Sequence, residues 1–351
     1  MIPHFKRFDK EDILSFTHLR KYETKLGEIV KCDNKGELEK IISETTARYI
    51  IFGIPEDVGV KANLGTGGPD TAWSSFLQSF LNIQSNDFLS GENIFVAGYF
   101  DFDDARKLIN VNAATQEEKV TAYRALVKNI DSAVEEMVKL ITVNNKIPVI
   151  IGGGQNNAYP AIKGAAKGLY KAELIQLAQI NCINLSASTG FQPIEGRHSG
   201  NPFRYADEDG YLNKYCLIGV HENDMSQNVL VDMTNNLFMD YITYEDIFIH
   251  EKKNFIQAVA HATGVTEDNY TGVEFNPSSI EGVLSNDAPA CGITTLQARQ
   301  YMNFAATDSK IAFLHLCGGA SRLENGEISS STGKLISYLV SDFLKAHDRM
   351  G

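Results

Sequence analysis

The feature that most constrains this chain is a series of short apolar runs separated by longer polar or amphipathic stretches. Each run is almost continuously apolar and does not alternate between apolar and polar residues, which is typical of strands buried on both faces of a parallel sheet. The runs occupy residues 49–54, 94–98, 147–152, 180–185, 215–220 and 311–316, and a shorter one begins at Thr271.

Two of the intervening stretches are clear helix patterns. Thr115 and Glu118 form a capping-box pattern, in which each side chain accepts from the other residue's backbone N–H, and apolar residues then recur every three or four positions up to Ile141. A second amphipathic pattern predicts a helix over 332–347. Alternating strands and helices predict an α/β three-layer sandwich with a mostly parallel central sheet of about eight strands.

The domain organisation follows from what the chain lacks. No internal repeat, low-complexity tract or linker interrupts the 351 residues, so we expect a single domain over 1–351. Residues 1–45 are polar and have no strong strand pattern, and we expect them to form a helical N-terminal cap.

Charge and cysteine content exclude several classes of protein. The chain has 44 acidic and 32 basic residues and a formal net charge of −12, which argues against nucleic-acid binding. It has no run of about 18 apolar residues, so we expect no membrane segment. The five scattered cysteines include no Cys-x-x-Cys pair, and the N-terminus lacks a secretory signal, so a cytoplasmic location is expected.

In a parallel α/β fold, functional side chains follow the carboxyl ends of the strands. A glycine-rich loop over 53–69 follows the first run. The glycine triplet ending at Gly154 follows the third, but it lacks both the last glycine of a dinucleotide motif and a Walker lysine, so nucleotide binding is disfavoured. Small uncharged residues follow the run that ends at Leu185, and Glu274 and Asn276 end the short strand that begins at Thr271.

Four of these segments, in this order, resemble the signature segments of the ureohydrolase family (arginases, agmatinases and formimidoylglutamases). Gly53-Ile-Pro-Glu-Asp-Val-Gly59 matches Gly-x-Pro-x-Asp-x-Gly, and Gly152-Gly-Gly-Gln155 matches Gly-Gly-x-His. Ser186-Ala-Ser-Thr-Gly190 stands where the family has Asp-Ala-His-x-Asp, and Glu274-Phe-Asn276 where it has Asp-x-Asp. Ser199-Gly-Asn-Pro-Phe203 is most similar to the formimidoylglutamase branch. The resemblance implies an arginase-like fold and a homo-oligomer.

The resemblance also implies a site at which six residues hold two divalent metals, usually manganese, which activate water to attack an amidine or guanidine carbon. The matching positions here are Gln155, Ser186, Ser188, Gly190, Glu274 and Asn276. Only Glu274 is ionisable, and neutral oxygens do not offset the dehydration of a dication as carboxylates do. Without a metal, a water molecule at this position keeps a pKa far above the value of about 7 that it has on a catalytic metal. We therefore predict that the chain has no metal and no cofactor.

Further polar side chains near the strand ends are candidates for lining a ligand pocket. These are Asn157, Arg197, His198, Ser199, Asn201, His221 and Cys291. His198 is a candidate base, although a loop histidine that positions Arg197 is favoured. A nucleophilic Cys291 or Cys317 is disfavoured because neither has a basic sequence neighbour.

Two other side chains have structural interpretations. His315 lies within a predicted strand and is expected to be a core histidine with its hydrogen bonds satisfied. For Glu274, a structural hydrogen-bond acceptor and a partner for a cationic ligand are equally favoured.

Three functions are consistent with these observations. The favoured one is a metal-free pseudoenzyme that binds a protein partner or a small amidine-like, guanidine-like or amino-acid ligand. The second is an active C–N hydrolase resembling formimidoylglutamase or arginase, with displaced ligands among Glu274, His198, His221 and Glu222. The third is a structural or regulatory subunit that pairs with an active homologue.

Overall fold

The apolar runs form the centre of a nine-stranded sheet in the computed structural model, which describes residues 2–287, 289–308 and 310–350. In chain order the strands are β1 (Phe5–Arg7), β2 (Tyr49–Gly53), β3 (Ile94–Phe100), β4 (Ile147–Ile151), β5 (Ile180–Leu185), β6 (Leu212–Val220), β7 (Met239–Thr243), β8 (Thr271–Phe275) and β9 (Ile311–Leu316). Their spatial order is β1-β3-β2-β4-β9-β8-β5-β6-β7. Strand β1 is antiparallel to β3, and the other neighbouring pairs are parallel.

The connections between the strands are mostly helical. The α-helices are α1 (Lys10–Ser15), α2 (Leu26–Ile29), α3 (Leu38–Glu44), α4 (Val58–Lys61), α5 (Ala72–Phe80), α6 (Asp103–Asn112), α7 (Gln116–Val143), α8 (Ala158–Lys171), α9 (Pro202–Glu208), α10 (Gln227–Asn235), α11 (Tyr244–Phe248), α12 (Phe255–Thr266), α13 (Thr295–Ala305) and α14 (Thr332–Asp348). Short 3-10 turns lie at Pro69–Thr71, Gln155–Asn157, Glu222–Asp224 and Pro277–Ser279. The capping box predicted at Thr115 is present at the start of α7.

Helices cover both faces of the sheet. One face packs on α5, α12, α13 and α14, through buried side chains such as Phe76 and Phe343. The other packs on α7 and α8, through side chains such as Val134 and Ile162. This arrangement confirms the predicted three-layer α/β sandwich with a mostly parallel sheet.

The sequence prediction missed two strands, β1 and β7, and both lie at an edge of the sheet. An edge strand is less completely covered, so its sequence is not a continuous apolar run. Both contain polar or partly exposed residues, such as Lys6 in β1 and Asp240 in β7. The segment 1–45, for which helices were expected, thus contains α1, α2 and α3 and also contributes a strand to the sheet.

The topology places four strand ends side by side, those of β4, β9, β8 and β5. Parallel strands end at the same edge of a sheet, so the loops after these four strands meet there. Among the described residues, no helix is both long enough and apolar enough to cross a bilayer.

Candidate functional site

Backbone hydrogen bonds join the loops at this edge of the sheet. Asn276 N donates to Leu185 O over 3.0 Å, so the loop after β8 is fixed to the end of β5. Gly318 N donates to Gly153 O over 2.9 Å and joins the loop after β9 to the loop after β4. The positions matched to metal ligands are therefore brought together by the sheet.

A polar cavity of about 220 Å³ opens at these loops, and we call it the strand-tip cavity. Its walls carry mainly amide and hydroxyl groups and include two carboxylates, Asp224 and Asp287. Of the residues selected from the sequence it contains Gln155, Ser188, Gly190, Ser199 and Asn276.

Gln155 occupies the position of the family's histidine in the turn after β4. It is 4% exposed, and its Nε2 has no hydrogen-bond partner among the described residues. An unpaired buried N–H group costs free energy. An amide N–H is a donor, so this atom offers no lone pair to a metal ion.

The two serines after β5 pair with each other. Ser186 is fully buried, and its Oγ accepts a hydrogen bond from Ser188 N over 3.2 Å. The two Oγ atoms lie 3.5 Å apart. Ser188 lines the strand-tip cavity and Ser186 does not.

Gly190 leaves no room for a side chain. Its φ is +59°, in the left-handed region, and an added Cβ would lie 2.6 Å from Cδ2 of Phe203. The Phe203 ring is itself fixed by stacking on Tyr215 at 4.5 Å between ring centroids. The space into which an aspartate at position 190 would extend is thus filled by an aromatic ring.

The last two matched positions are already engaged within the protein. Asn276 Oδ1 accepts from Ser278 N over 3.1 Å, which caps the turn that follows. Glu274 is fully buried and faces His315 on the adjacent strand, with Nδ1 of His315 2.9 Å from Oε1 and 3.1 Å from Oε2. Burial raises the pKa of Glu274, and His315 opposes the rise.

Both nitrogens of the His315 ring have acceptors, because Nε2 also lies 3.3 Å from Gly152 O. Among the described residues, potential metal-ligand atoms come within 4.8 Å of one another at Glu274, His315 and Cys317. There the ring nitrogens are already hydrogen-bonded, and burial raises the pKa of the Cys317 thiol well above its ordinary value. The group is accordingly organised as a buried hydrogen-bonded cluster.

A second buried carboxylate, Glu56, links the loop after β2 to the loop after β4. Its Oε1 accepts from Gly154 N over 2.9 Å, Asn156 Nδ2 over 3.1 Å and Asn157 Nδ2 over 2.7 Å. Its Oε2 accepts from Gly59 N over 3.1 Å. Burial raises the pKa of Glu56, and these four hydrogen bonds oppose the rise.

Arg197 and Asn201 belong to a buried network and do not line the strand-tip cavity. The guanidinium of Arg197 donates to both oxygens of Asp131, over 2.8 and 3.3 Å. It also donates to Asn201 Oδ1 over 2.9 Å and lies over the ring of Tyr159, 4.6 Å from its centroid. Asn157, another buried amide selected from the sequence, donates a hydrogen bond to Glu56.

The candidate histidines lie apart from the cavity lining. His198 is fully buried, its Nδ1 accepts from Gly200 N over 3.1 Å, and burial and the charge of Arg124 lower its pKa to about 4. The ring centroids of His221 and Tyr244 lie 4.6 Å apart, and Nδ1 of His221 lies 3.4 Å from Oε1 of Glu245. Cys291 is exposed and lies beside Tyr244.

The sequence reasoning missed the acidic side of the cavity. Asp224 follows β6 in the His221-Glu-Asn-Asp224 stretch and had a usable signal, its position after a strand. Asp287 lies in a loop without any strand pattern and had none. Desolvation of its carboxylate and the nearby Asp224 charge raise the pKa of Asp287.

This fold and the motifs at its strand ends are those of the arginase family, to which the chain belongs. The family's sequence model, described as Arginase family, matches residues 47–301. That range contains the ends of β4, β5 and β8 and all six positions matched to metal ligands.

Individual relatives are formimidoylglutamases. Those of Streptococcus pyogenes strains are 20% identical over 227 residues, 63% of this chain. The chain matches 61% of the length of these curated relatives. By structure, formiminoglutamase of Trypanosoma cruzi with Mn²⁺ has a TM-score of 0.66 and 18% identity, covering 92% of this chain and 98% of that one. Formimidoylglutamase of Bacillus subtilis has a TM-score of 0.70 and 14% identity, covering 95% and 94%. These structural similarities concern the fold.

Proposed function

We propose that this chain is an arginase-family protein without the binuclear metal centre, and that it binds a small ligand in the strand-tip cavity without hydrolysing it. The observation that carries the proposal is the state of the six matched positions. Five have no charge, and the sixth, Glu274, has both carboxylate oxygens on His315.

The donor set does not fit two manganese ions. Manganese prefers carboxylate, carbonyl and water oxygens with imidazole as a further ligand, and several negative charges are needed to replace the water of two dications. The oxygens of Ser186 and Asn276 already accept backbone hydrogen bonds, and Gly190 has a phenyl ring where a ligand would extend. Hydrolysis through metal-bound hydroxide therefore has no support at this site.

The cavity favours a ligand with a cationic group and an acceptor oxygen. Among the described residues, its lining contains the carboxylates of Asp224 and Asp287 and no lysine, arginine or histidine. The amide and hydroxyl side chains of the lining, such as those of Asn63 and Ser199, offer hydrogen-bond donors. An amino acid, or a guanidino or amidino compound with a carboxylate or carbonyl oxygen, matches both requirements.

Metal content is the first test. The purified protein is incubated with manganese, desalted and measured by mass spectrometry, beside a metal-binding formimidoylglutamase treated in parallel. We expect substoichiometric manganese in this protein and retained metal in the comparison protein. Two tightly held ions per chain would contradict the proposal.

Ligand binding is the second test. Arginine, agmatine and N-formimidoylglutamate are titrated calorimetrically into the wild type, Asp287→Asn, and Asp87→Asn, an exposed acid outside the cavity. We expect at least one of the three compounds to bind, with weaker binding in Asp287→Asn and unchanged binding in Asp87→Asn. Equal affinity in all three proteins would contradict a role for the cavity carboxylates.

The similarity to formimidoylglutamases in sequence and structure supports a second candidate, an active C–N hydrolase with displaced ligands. Under this alternative, the protein releases ammonia or formamide from N-formimidoylglutamate or urea from arginine or agmatine, and a chelator abolishes turnover. No product at high protein concentration with added manganese would reject it.

A further inference from the structure

A second cavity, distant in sequence from the six matched positions, lies where the N-terminal segment meets the sheet. We call it the N-terminal cavity, and its volume is about 460 Å³, which is within the range of small-molecule sites. The segment 8–16, which follows β1 and contains α1, supplies one wall. Helices α5 and α6 and the residues near the ends of β2 and β3 supply the others.

Four aromatic side chains line this cavity. Phe8 is their centre, with ring centroids 6.2 Å from Trp73, 5.7 Å from Tyr99 and 6.3 Å from Phe16. The negative faces of aromatic rings attract cations, most strongly those that are poorly hydrated. An aromatic wall of this kind also supplies apolar surface for alkyl groups.

In the described part of the chain, four aspartates and one cation, Arg106, also line this cavity. Arg106 is already shared by Asp57, Asp70 and Asp103 at 2.7–2.9 Å. Asp101 is paired with Lys6. Asp12 accepts a backbone hydrogen bond from Asp9 N over 2.9 Å, and within the described part of the chain it has no cation at ion-pair distance.

We propose that the N-terminal cavity binds an alkylated ammonium compound. The aromatic wall and Asp12 receive the ammonium group. The excess of carboxylates in the lining disfavours a ligand with a carboxylate of its own. The proposal is independent of the strand-tip cavity, because the two linings share no residue.

The chain reports on this site directly, because Trp73 is its single tryptophan. Choline is titrated while tryptophan emission is recorded, with excitation beyond the tyrosine absorption band. Tetramethylammonium tests the charge without the hydroxyl, and 3,3-dimethylbutan-1-ol has choline's shape without the charge. We expect choline and tetramethylammonium to bind and the neutral alcohol not to bind.

The variants are chosen to preserve the fold. Asp12→Asn keeps an oxygen for the Asp9 N–H, and we expect it to weaken choline binding about fivefold, the size of one ion pair near a protein surface. Asp87→Asn, exposed and outside the cavity, should bind choline as the wild type does. Thermal unfolding checks that both variants are folded, and calorimetry repeats the titration without relying on fluorescence.

Two results would overturn the proposal. One is equal binding of choline and its neutral isostere, which would show that charge is not recognised. The other is the absence of any choline-dependent heat or emission change in the folded wild-type protein.

Discussion

Glu274 and His315 face each other in register on the adjacent strands β8 and β9, and both are fully buried. The carboxylate lies 2.9 Å from Nδ1 of His315, and Nε2 on the far side of the ring lies 3.3 Å from Gly152 O. The one acidic side chain at the matched positions is thus hydrogen-bonded to a histidine of the neighbouring strand.

Removing the histidine should leave Glu274 as an uncompensated buried acid. We expect His315→Leu to lower the free energy of unfolding by about 3–5 kcal/mol. The double variant Glu274→Met/His315→Leu should cost less than His315→Leu, because two apolar side chains need no partner. Denaturant unfolding measures both, and a double variant as unstable as the sum of the single variants would contradict the pairing.

The same variant should show a distinct pH dependence. A carboxyl whose folded pKa is raised contributes stability that is present below its unfolded pKa of about 4.5 and is lost as pH rises through the folded pKa. Without His315 the pKa of Glu274 rises further. We expect the loss of unfolding free energy in His315→Leu, relative to the wild type, to grow between about pH 5 and pH 8. A loss independent of pH would argue against the ionisation of Glu274 as its cause.

Restoring a metal ligand at position 190 would require a side chain there, and the Phe203 ring should oppose it. We expect Gly190→Ala to destabilise the protein, through a left-handed φ and a Cβ 2.6 Å from the Phe203 ring. Gly210→Ala is the matched control, because Gly210 has a φ of +74° and open space around it.

The expected cost is about 1 kcal/mol at Gly210 and about 1–3 kcal/mol more at Gly190, where the ring must also move. Thermal or denaturant unfolding gives both values. The double variant Gly190→Ala/Phe203→Leu should lose less free energy of unfolding than its two single variants lose together, because the steric contact is relieved. Equal losses of stability at Gly190 and Gly210 would mean that the Phe203 ring moves aside without a cost in free energy.

The hydrogen bonds of Glu56 should stabilise the contact between the loop after β2 and the loop after β4. In Glu56→Gln an amide N–H replaces one acceptor oxygen and faces backbone or side-chain donors, so we expect a loss of about 1–3 kcal/mol near pH 5. Because burial raises the pKa of Glu56, the wild type loses stability as pH rises from about 4.5 and the neutral variant does not. The difference in the free energy of unfolding between the wild type and Glu56→Gln should therefore shrink toward about pH 8. A difference that grows with pH would contradict this prediction.

Ligand binding in the strand-tip cavity should depend on the ionisation of Asp287. Its pKa is raised, so the carboxylate is lost at a higher pH than for an ordinary aspartate. We expect the affinity for a cationic ligand to fall as pH is lowered toward this pKa, measured by calorimetry. In Asp287→Asn this fall should be reduced, and a pH profile identical to that of the wild type would exclude Asp287 as its origin.

Most of the sheet could be predicted from sequence because its strands are buried on both faces. The helix patterns at α7 and α14 were equally readable, since each buries one face only. The edge strands β1 and β7 could not be read in this way, because partial exposure admits polar residues such as Lys6 and Asp240.

The candidate site, like the sheet, could be predicted from sequence only in part. The sequence by itself determined the residue types at the strand ends, with five of the six matched positions uncharged. It also determined which strands carry them, because the motifs follow apolar runs in a fixed order.

Tertiary structure alone decided which side chains meet. The pairing of Glu274 with His315 depends on the register of β8 against β9, and the contact of Phe203 with Gly190 depends on a loop folding back. Asp224 and Asp287 reach one cavity from loops that no local pattern connects. Periodicity reports the burial of each element, whereas a site depends on distances between elements, which strand order and register set.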